Sequence, residues 1–294
     1  MTSESNQILV TDVNSFIRAI INIKRIDQEF AFRGHDDVSY KSIPSVFRKV
    51  GWMRNEEHLI SEVTRRAPSD FLDDKLALDV LVRVQHYGLP TRLLDVSLNP
   101  LVALFFASDK YEKDGSVLVF GFRRERVKFY DSDAISCVCN SSRLTYDEKA
   151  SIREYVQKYS GDLDKISQLD FNNLPAVKRL LHFIISEKSY FLPIIKPRDM
   201  SRHFLVKPKL NNRRIVAQHG AFVVSGIIRE IRENYPDNVS VMKIVVGKMF
   251  KKNIRRELEM LGISIGSLFP DIDRVSEYIK DRYQGPQGSE ISYP

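Results

Sequence analysis

The segment Gln85-His86-Tyr87-Gly88-Leu89-Pro90-Thr91-Arg92-Leu93-Leu94-Asp95 runs almost directly into Pro100-Leu101-Val102-Ala103-Leu104-Phe105-Phe106-Ala107, eight residues without one polar side chain. A helix apolar on every face has to be enclosed by other elements, so the fold must be built in layers around it. Asn99 is a good N-cap and Pro100 suits the first helical position, which puts the helix start here, its unpaired N–H groups turned toward the polar segment. A histidine, an arginine and an aspartate beside a buried helix need partners inside the protein. Two readings follow: these groups form a site that welcomes an anion, or Arg92 and Asp95 pair with each other and cap the helix.

The rest of the chain supplies the layers. At 294 residues, 43% apolar and 28% charged, it is long enough for a large core and gives no compositional case for global disorder. Val13, Phe16, Ile17, Ile20 and Ile21 recur at helical spacing and predict an amphipathic helix from 12 to about 25. Glu29 to Gly34 alternates and reads as a short strand ending at Arg33. Helices are expected at about 54 to 66 and 76 to 86, and a central strand at Gly115 to Gly121. Residues 122 to 190 read as polar or helical, with Pro175 opening a helix through Val177, Leu180, Leu181, Ile184 and Ile185. Strands are expected at Tyr190 to Ile195, Ala221 to Ser225 and Val239 to Val246. A last helix spans about 248 to 261, its apolar Phe250, Ile254, Leu258 and Leu261 in one stripe and Lys251, Lys252, Arg255 and Arg256 gathered away from it. That basic face is either a contact for an acidic partner or an ordinary solvated surface.

No internal repeat or Pro- or Ser-rich linker divides the chain, which favours one α+β domain: a mixed sheet flanked by helices, with a helical insertion at about 125 to 190. Residues 1 to 28 read as an N-terminal helical segment and 284 to 294 as a loose tail. No membrane span or leader pattern is visible, so a cytoplasmic location is expected. The only cysteines, Cys137 and Cys139, are too close for an unstrained bridge and read as idle thiols.

Dinucleotide, P-loop, nucleophile-elbow and zinc patterns are absent, and the histidines show no ligand pairing, so no metal is expected. An arginine fork at the end of a strand suits a phosphate or carboxylate, which makes Arg33 either an anion anchor or half of a surface ion pair. His86 reads as a general acid/base or a donor to a ribose, or else as a structural imidazole. Arg213 to Phe222 repeats the ingredients: basic residues, the pair Gln218-His219, a glycine, then a strand. The formal charge of +7 and a pI near 9.2 draw anionic partners. Arg198, Arg202, Lys207, Lys209, Arg213 and Arg214 either track a nucleic-acid backbone or form a solvated face.

Phe32-Arg33-Gly34, Ile43 to Arg48, Gln85 to Asp95, Leu101 to Ala107, Arg214 to Phe222 with its Gln-x-Gly-x-Phe pattern, and Ser267 to Asp273 together resemble the FRG-domain family. The resemblance runs over 29 to 283 and is weakest between about 125 and 190. Members occur in bacterial defence and toxin-like settings, and the aromatic-Arg-Gly strand end is similar to the first strand of arginine-type ADP-ribosyltransferases, where the arginine holds NAD. The resemblance thus implies an ADP-ribosyltransferase-like fold and a transferase that uses NAD as substrate and modifies a macromolecule, RNA or DNA, under restraint by an antitoxin. It assigns Arg33, His86, Asp95 and Gln218 to catalysis, and Arg33, Gly34, Gln85, Thr91, Arg92 and Asn99 to the dinucleotide. Such enzymes usually place a glutamate where this chain has the uncharged Gln218, which leaves Asp95 to supply the carboxylate. The alternatives are a nucleic-acid-binding module without chemistry and an NAD-hydrolysing or nucleotide-sensing domain.

Overall fold

The computed structural model describes residues 8–23, 27–159, 165–227 and 239–270. The expected segment Asp271 to Asp273 and the tail at 284 to 294 lie outside them. Among these residues eight strands form one sheet: β1 (Ile8–Val10), β2 (Gln28–His35), β3 (Leu93–Ser97), β4 (Gly115–Arg123), β5 (Val127–Phe129), β6 (His203–Lys207), β7 (Gly220–Ser225) and β8 (Ser240–Val246). Their order is β1-β8-β4-β2-β3-β7-β6-β5, with β1–β8 and β5–β6 parallel and the other neighbours antiparallel, so the sheet is mixed.

The sheet is divided at its centre. β2 pairs with β4 over eight consecutive positions and β3 with β7 over five, yet β2 and β3 meet at a single pair, Phe32 and Ser97. Two half-sheets therefore part on either side of that point. The all-apolar helix Pro100–Ala107, capped by Asn99 accepting from the N–H of Leu101 at 2.9 Å, lies against the first half and packs with Phe32, Val117 and Val119. The helices Val13–Ile21 and Lys251–Met260 close the same core through Phe16, Ile20, Ile254 and Leu258. The helices Ala77–His86 and Asp133–Asn140 cover Leu93, Phe204, Phe222 and Val224 of the second half.

Several expectations change. The polar segment before Pro100 is a loop only as far as Arg92; Leu93–Ser97 is β3, at the centre of the sheet, where backbone pairing with β7 outweighs one charged side chain at Asp95. Residues 8 to 10 add an edge strand to the N-terminal segment that reads as purely helical. Tyr190 to Ile195 is not a strand: Pro193 has no N–H to give, and the N–H of Ile194 turns back to Leu192 at 2.6 Å. The strand here is β6, inside the run that reads as basic. The insertion holds β5 and the helices Asp133–Asn140, Tyr146–Gln157, Gln168–Asn173 and Pro175–Glu187, with Pro175 at the expected start. On the last helix, Lys251 and Arg255 are buried rather than displayed. Lys251 gives its ammonium to the carbonyl oxygens of Asp36 and Lys110 at 2.7 and 2.6 Å, and Arg255 lies 3.5 Å over the Phe105 ring. Half of the basic face proposed for an acidic partner is therefore interior.

Candidate functional site

At the split between the half-sheets lies a cavity of about 270 Å³. β2 lends it Phe32, Arg33 and Gly34; β3 lends Asp95, Val96 and Ser97; the helix Ala77–His86 lends Val82, Gln85 and His86. The flank of Pro100–Ala107 contributes Val102, Ala103 and Phe106, and the turn before β7 contributes Asn212, Arg214, Ile215 and Gln218. Arg33, Gly34, Gln85, His86, Asp95, Arg214 and Gln218 thus come together from four stretches of chain.

Arg33 and Asp95 reach this cavity from opposite faces of the sheet. Asp95 shares the face of Ser97, which pairs with Phe32, and Arg33 is one residue off that register. Only a split lets both line one hollow. Arg33 bridges it: Nε donates to Nε2 of His35 at 3.0 Å, and Nη1 donates to the main-chain oxygen of Asp95. Among the described residues its Nη2 makes no hydrogen bond, so that edge of the fork is available to a ligand. Burial lowers the pKa of Arg33, and nearby Arg48 adds to this while Asp95 opposes it.

His35, whose part the sequence does not disclose, keeps the fork in place. It is buried, its ring stands edge-on to Tyr40, and burial together with Arg33, Arg48 and Lys243 holds its pKa down to about 4. It is therefore neutral, with Nε2 as acceptor and the proton on Nδ1, a buried atom with no partner among the described residues.

On the other side, the exposed carboxylate of Asp95 accepts from Nε2 of Gln85 at 2.7 Å, and Oε1 of Gln85 accepts in turn from the hydroxyl of Thr91. Thr91 does not touch the cavity; it orients Gln85. Gln218 anchors Nε2 on the carbonyl oxygen of Leu268 at 3.1 Å, and its main-chain carbonyl accepts from Ser97 Oγ at 2.8 Å. The following His219 has φ +48°, the left-handed turn into β7.

Three more residues expected at the dinucleotide have other tasks. Arg92 does not approach the cavity: it is 1% exposed and forks onto Glu56, with Nε to Oε1 at 2.8 Å. Nη1 adds a bond to Ser141 at 2.5 Å, and Lys149 reaches the same Glu56 at 2.9 Å. Arg92 consequently leaves Asp95 unneutralised, and the alternative of an Arg92–Asp95 pair is not what forms. Asn99 is spent on its cap, and the helix presents its side to the cavity rather than its N-terminus. Gly34 lines the cavity, but the space above it belongs to the helix: an added Cβ would fall 1.9 Å from the carbonyl oxygen of Ala103.

The basic run is also divided. Lys207 pairs with Glu29 at 2.7 Å and Lys209 with Asp79 at 2.8 Å. Arg214 lies 5.0 Å from the Phe269 ring at the cavity wall, Arg213 is exposed beside it, and Arg198 and Arg202 lie at the turn Pro197–Ser201 and its end. Two of the six cations are therefore held in ion pairs with carboxylates. Among the described residues no group of three His, Cys, Asp or Glu is placed to hold a metal ion, and no helix is long and apolar enough to cross a membrane.

The cleft of the split mixed sheet thus gathers an arginine fork, a hydrogen-bonded carboxylate and an imidazole, the kind of polar lining that makes a cavity a candidate site. Residues 28–116 match the family model of the FRG domain, so the chain carries an FRG domain from β2 to the start of β4. That stretch includes Arg33, His35, Gln85, His86 and Asp95, whereas Arg214 and Gln218 lie beyond it. No curated protein and no solved structure matches the chain.

Proposed function

We propose that this protein is an NAD-dependent ADP-ribosyltransferase acting on a macromolecule, with nucleic acid, RNA first, as the acceptor class. The observation that carries this reading is the meeting of Arg33, His86, Asp95 and Gln218 around one cavity. In the reaction the bond from C1′ of the ribose to nicotinamide breaks, its electron pair leaving with the nicotinamide nitrogen. A bond from C1′ to the acceptor forms, and the acceptor loses a proton. The sugar passes through an oxocarbenium-like state, as in glycoside cleavage, so a carboxylate near C1′ stabilises it.

Asp95, held by Gln85 and not neutralised by Arg92, takes that role in this reading, in place of the glutamate that Gln218 cannot imitate. The open edge of Arg33, with the positive charges of Arg48 and Lys243 nearby, suits the diphosphate. Gln218 retains Oε1 for a ribose hydroxyl, and His86 takes the acceptor's proton. A cavity near 270 Å³ stands just under the range of about 300–1,000 Å³ typical of ligand sites, which suits the reacting half of a dinucleotide rather than its whole length. A toxin-like effector restrained by an antitoxin is the setting that the family resemblance implies. The pairing of Lys207 and Lys209 weakens the rival reading of a nucleic-acid module without chemistry.

The test is incubation with NAD labelled in its adenylate, with RNA, DNA and protein supplied separately. Label in RNA, lost in Arg33→Ala and Asp95→Ala, is the expected result. Free ADP-ribose alone would make the protein a hydrolase. Turnover that survives both substitutions would refute the roles of Arg33 and Asp95.

A further inference from the structure

A second hollow, of about 200 Å³, adjoins the first. The two share Val82, His86, Asn212 and Ile215, and the second continues over Leu78, Asp79, Arg83, Tyr87, Pro208, Lys209, Asn211 and Asp74. We propose that this second hollow is the acceptor subsite and that it takes a single unpaired nucleobase. The inference rests on the transferase reading and specifies its substrate.

Charge is the first argument. The cations here are already matched: Arg83 forks onto Asp74 at 2.5 and 2.8 Å, and Lys209 meets Asp79 at 2.8 Å. The hollow thus has no uncompensated charge with which to hold a phosphate, and selects an uncharged group. Shape is the second. Leu78, Val82, Pro208 and Ile215 give apolar surface, the half-exposed Tyr87 ring stands edge-on to His86 with centroids 5.6 Å apart, and Asn211 adds an amide beside the Nδ2 of Asn212, whose Oδ1 accepts from the N–H groups of Arg214 and Ile215. A flat ring with a hydrogen-bonding edge fits these surfaces, since stacking and amide contacts both recognise bases. A hollow of this size admits one ring system and no duplex, so the base must be unpaired or turned out of its stack.

Position is the third argument. The acceptor atom has to meet C1′ and give up its proton at the boundary between the two hollows. Of the four shared residues, Val82, Asn212 and Ile215 cannot take a proton, and His86 can. The balanced step is therefore attack by a base N–H nitrogen on C1′, departure of nicotinamide with its bonding pair, and transfer of the N–H proton to the His86 imidazole.

The experiment uses the full chain and a short fluorescein-labelled RNA of mixed sequence, single-stranded or annealed to its complement. Binding is followed by anisotropy, labelling with NAD in parallel, and folding by thermal melting. The wild type should bind and label the single strand about tenfold better than the duplex. Tyr87→Ala, which removes a stacking face, and Asn211→Trp, which fills the hollow, should each weaken single-strand binding about tenfold with unchanged melting. Unaltered RNA binding and labelling in both variants overturns the proposal. So does a raised KM for NAD with RNA binding unmoved, which would put the adenine of NAD in this hollow. Absence of nicotinamide release by the wild type would instead refute the transferase reading, and the anisotropy would still decide whether the hollow binds a base.

Discussion

His35 offers a quantitative test of how the Arg33 fork is held. The imidazole is 6% exposed, accepts from Arg33 Nε, and has its pKa lowered from 6.5 to about 4, first by burial and then by Arg33, Arg48 and Lys243. Because the folded value is depressed, the unfolded chain binds the extra proton. Stability from this group is complete above pH 6.5 and is lost as pH falls toward 4. At about 1.4 kcal/mol per tenfold change in proton affinity, the ceiling is near 3 kcal/mol, and about 2.5 kcal/mol of it should be gone by pH 4.5. Urea denaturation of the wild type and of His35→Gln at pH 7.5 and 4.5 isolates the effect, because Gln offers Arg33 an acceptor and does not titrate. Carboxylates such as Asp37, which hydrogen bonds to Lys113 and Ser39 hold well below the usual range, contribute equally to both proteins. Relative to the variant, the wild type should lose about 2.5 kcal/mol between the two pH values. Parallel pH dependences would show that His35 does not titrate against Arg33, and its role in holding the fork would fall.

Glu56→Gln should cost about 3–5 kcal/mol in chemical denaturation, because it strands the buried Arg92 and Lys149 without their shared carboxylate; a loss under about 1 kcal/mol would contradict the pairing. Gly34→Ala should destabilise by about 3 kcal/mol or more, since its methyl meets the Ala103 carbonyl, while Gly51→Ala, with open space around it, should be neutral or slightly stabilising on the same assay. Cys137 and Cys139 are buried and their thiols are pushed up in pKa by burial, so a disulfide reagent should leave both untouched until denaturant is added. Asp95→Asn should lower nicotinamide release at least about a hundredfold and leave the melting temperature near that of the wild type, because the carboxylate is exposed.

What the sequence discloses depends on the range of the interaction involved. The cap and start of the Pro100 helix, the β2 strand, Pro175 at a helix start and the Ser240–Val246 strand are local, and each is legible. Arg92 is not, because its partner Glu56 lies 36 positions earlier and no spacing rule connects them. Asp95 stands three positions after Arg92, an odd offset, so once Leu93–Ser97 is extended the two cannot share a sheet face. Their pairing is plausible only while that strand is taken for a loop. Lys251 and Arg255 mislead in another way: their long stems bury readily, and carbonyl oxygens or an aromatic face replace the water that a charge pattern assumes.

The same distinction explains why the site lies where it does. β2 and β3 touch only at Phe32 and Ser97, and on the side where Asp95 and Val96 face Arg33 and Gly34 the helix capped by Asn99 turns back across Gly34 and uses the space a side chain would fill. β2 continues with β4 and β3 with β7, and the gap between them becomes the cavity, with Val102, Ala103 and Phe106 of that helix as one wall. Arg33 then ties the two edges through the main chain of Asp95, so one side chain closes the split structurally and, in the proposed reaction, its remaining edge holds the ligand. Arg33→Lys separates these functions: the charge stays, while the planar fork that spans His35 and Asp95 is lost. If the fork is what matters, the lysine protein should lose affinity for NAD and for ADP-ribose nearly as fully as Arg33→Ala, measured by calorimetry. Retention of most of the affinity would mean that Arg33 acts through its charge alone and that the bridge is incidental.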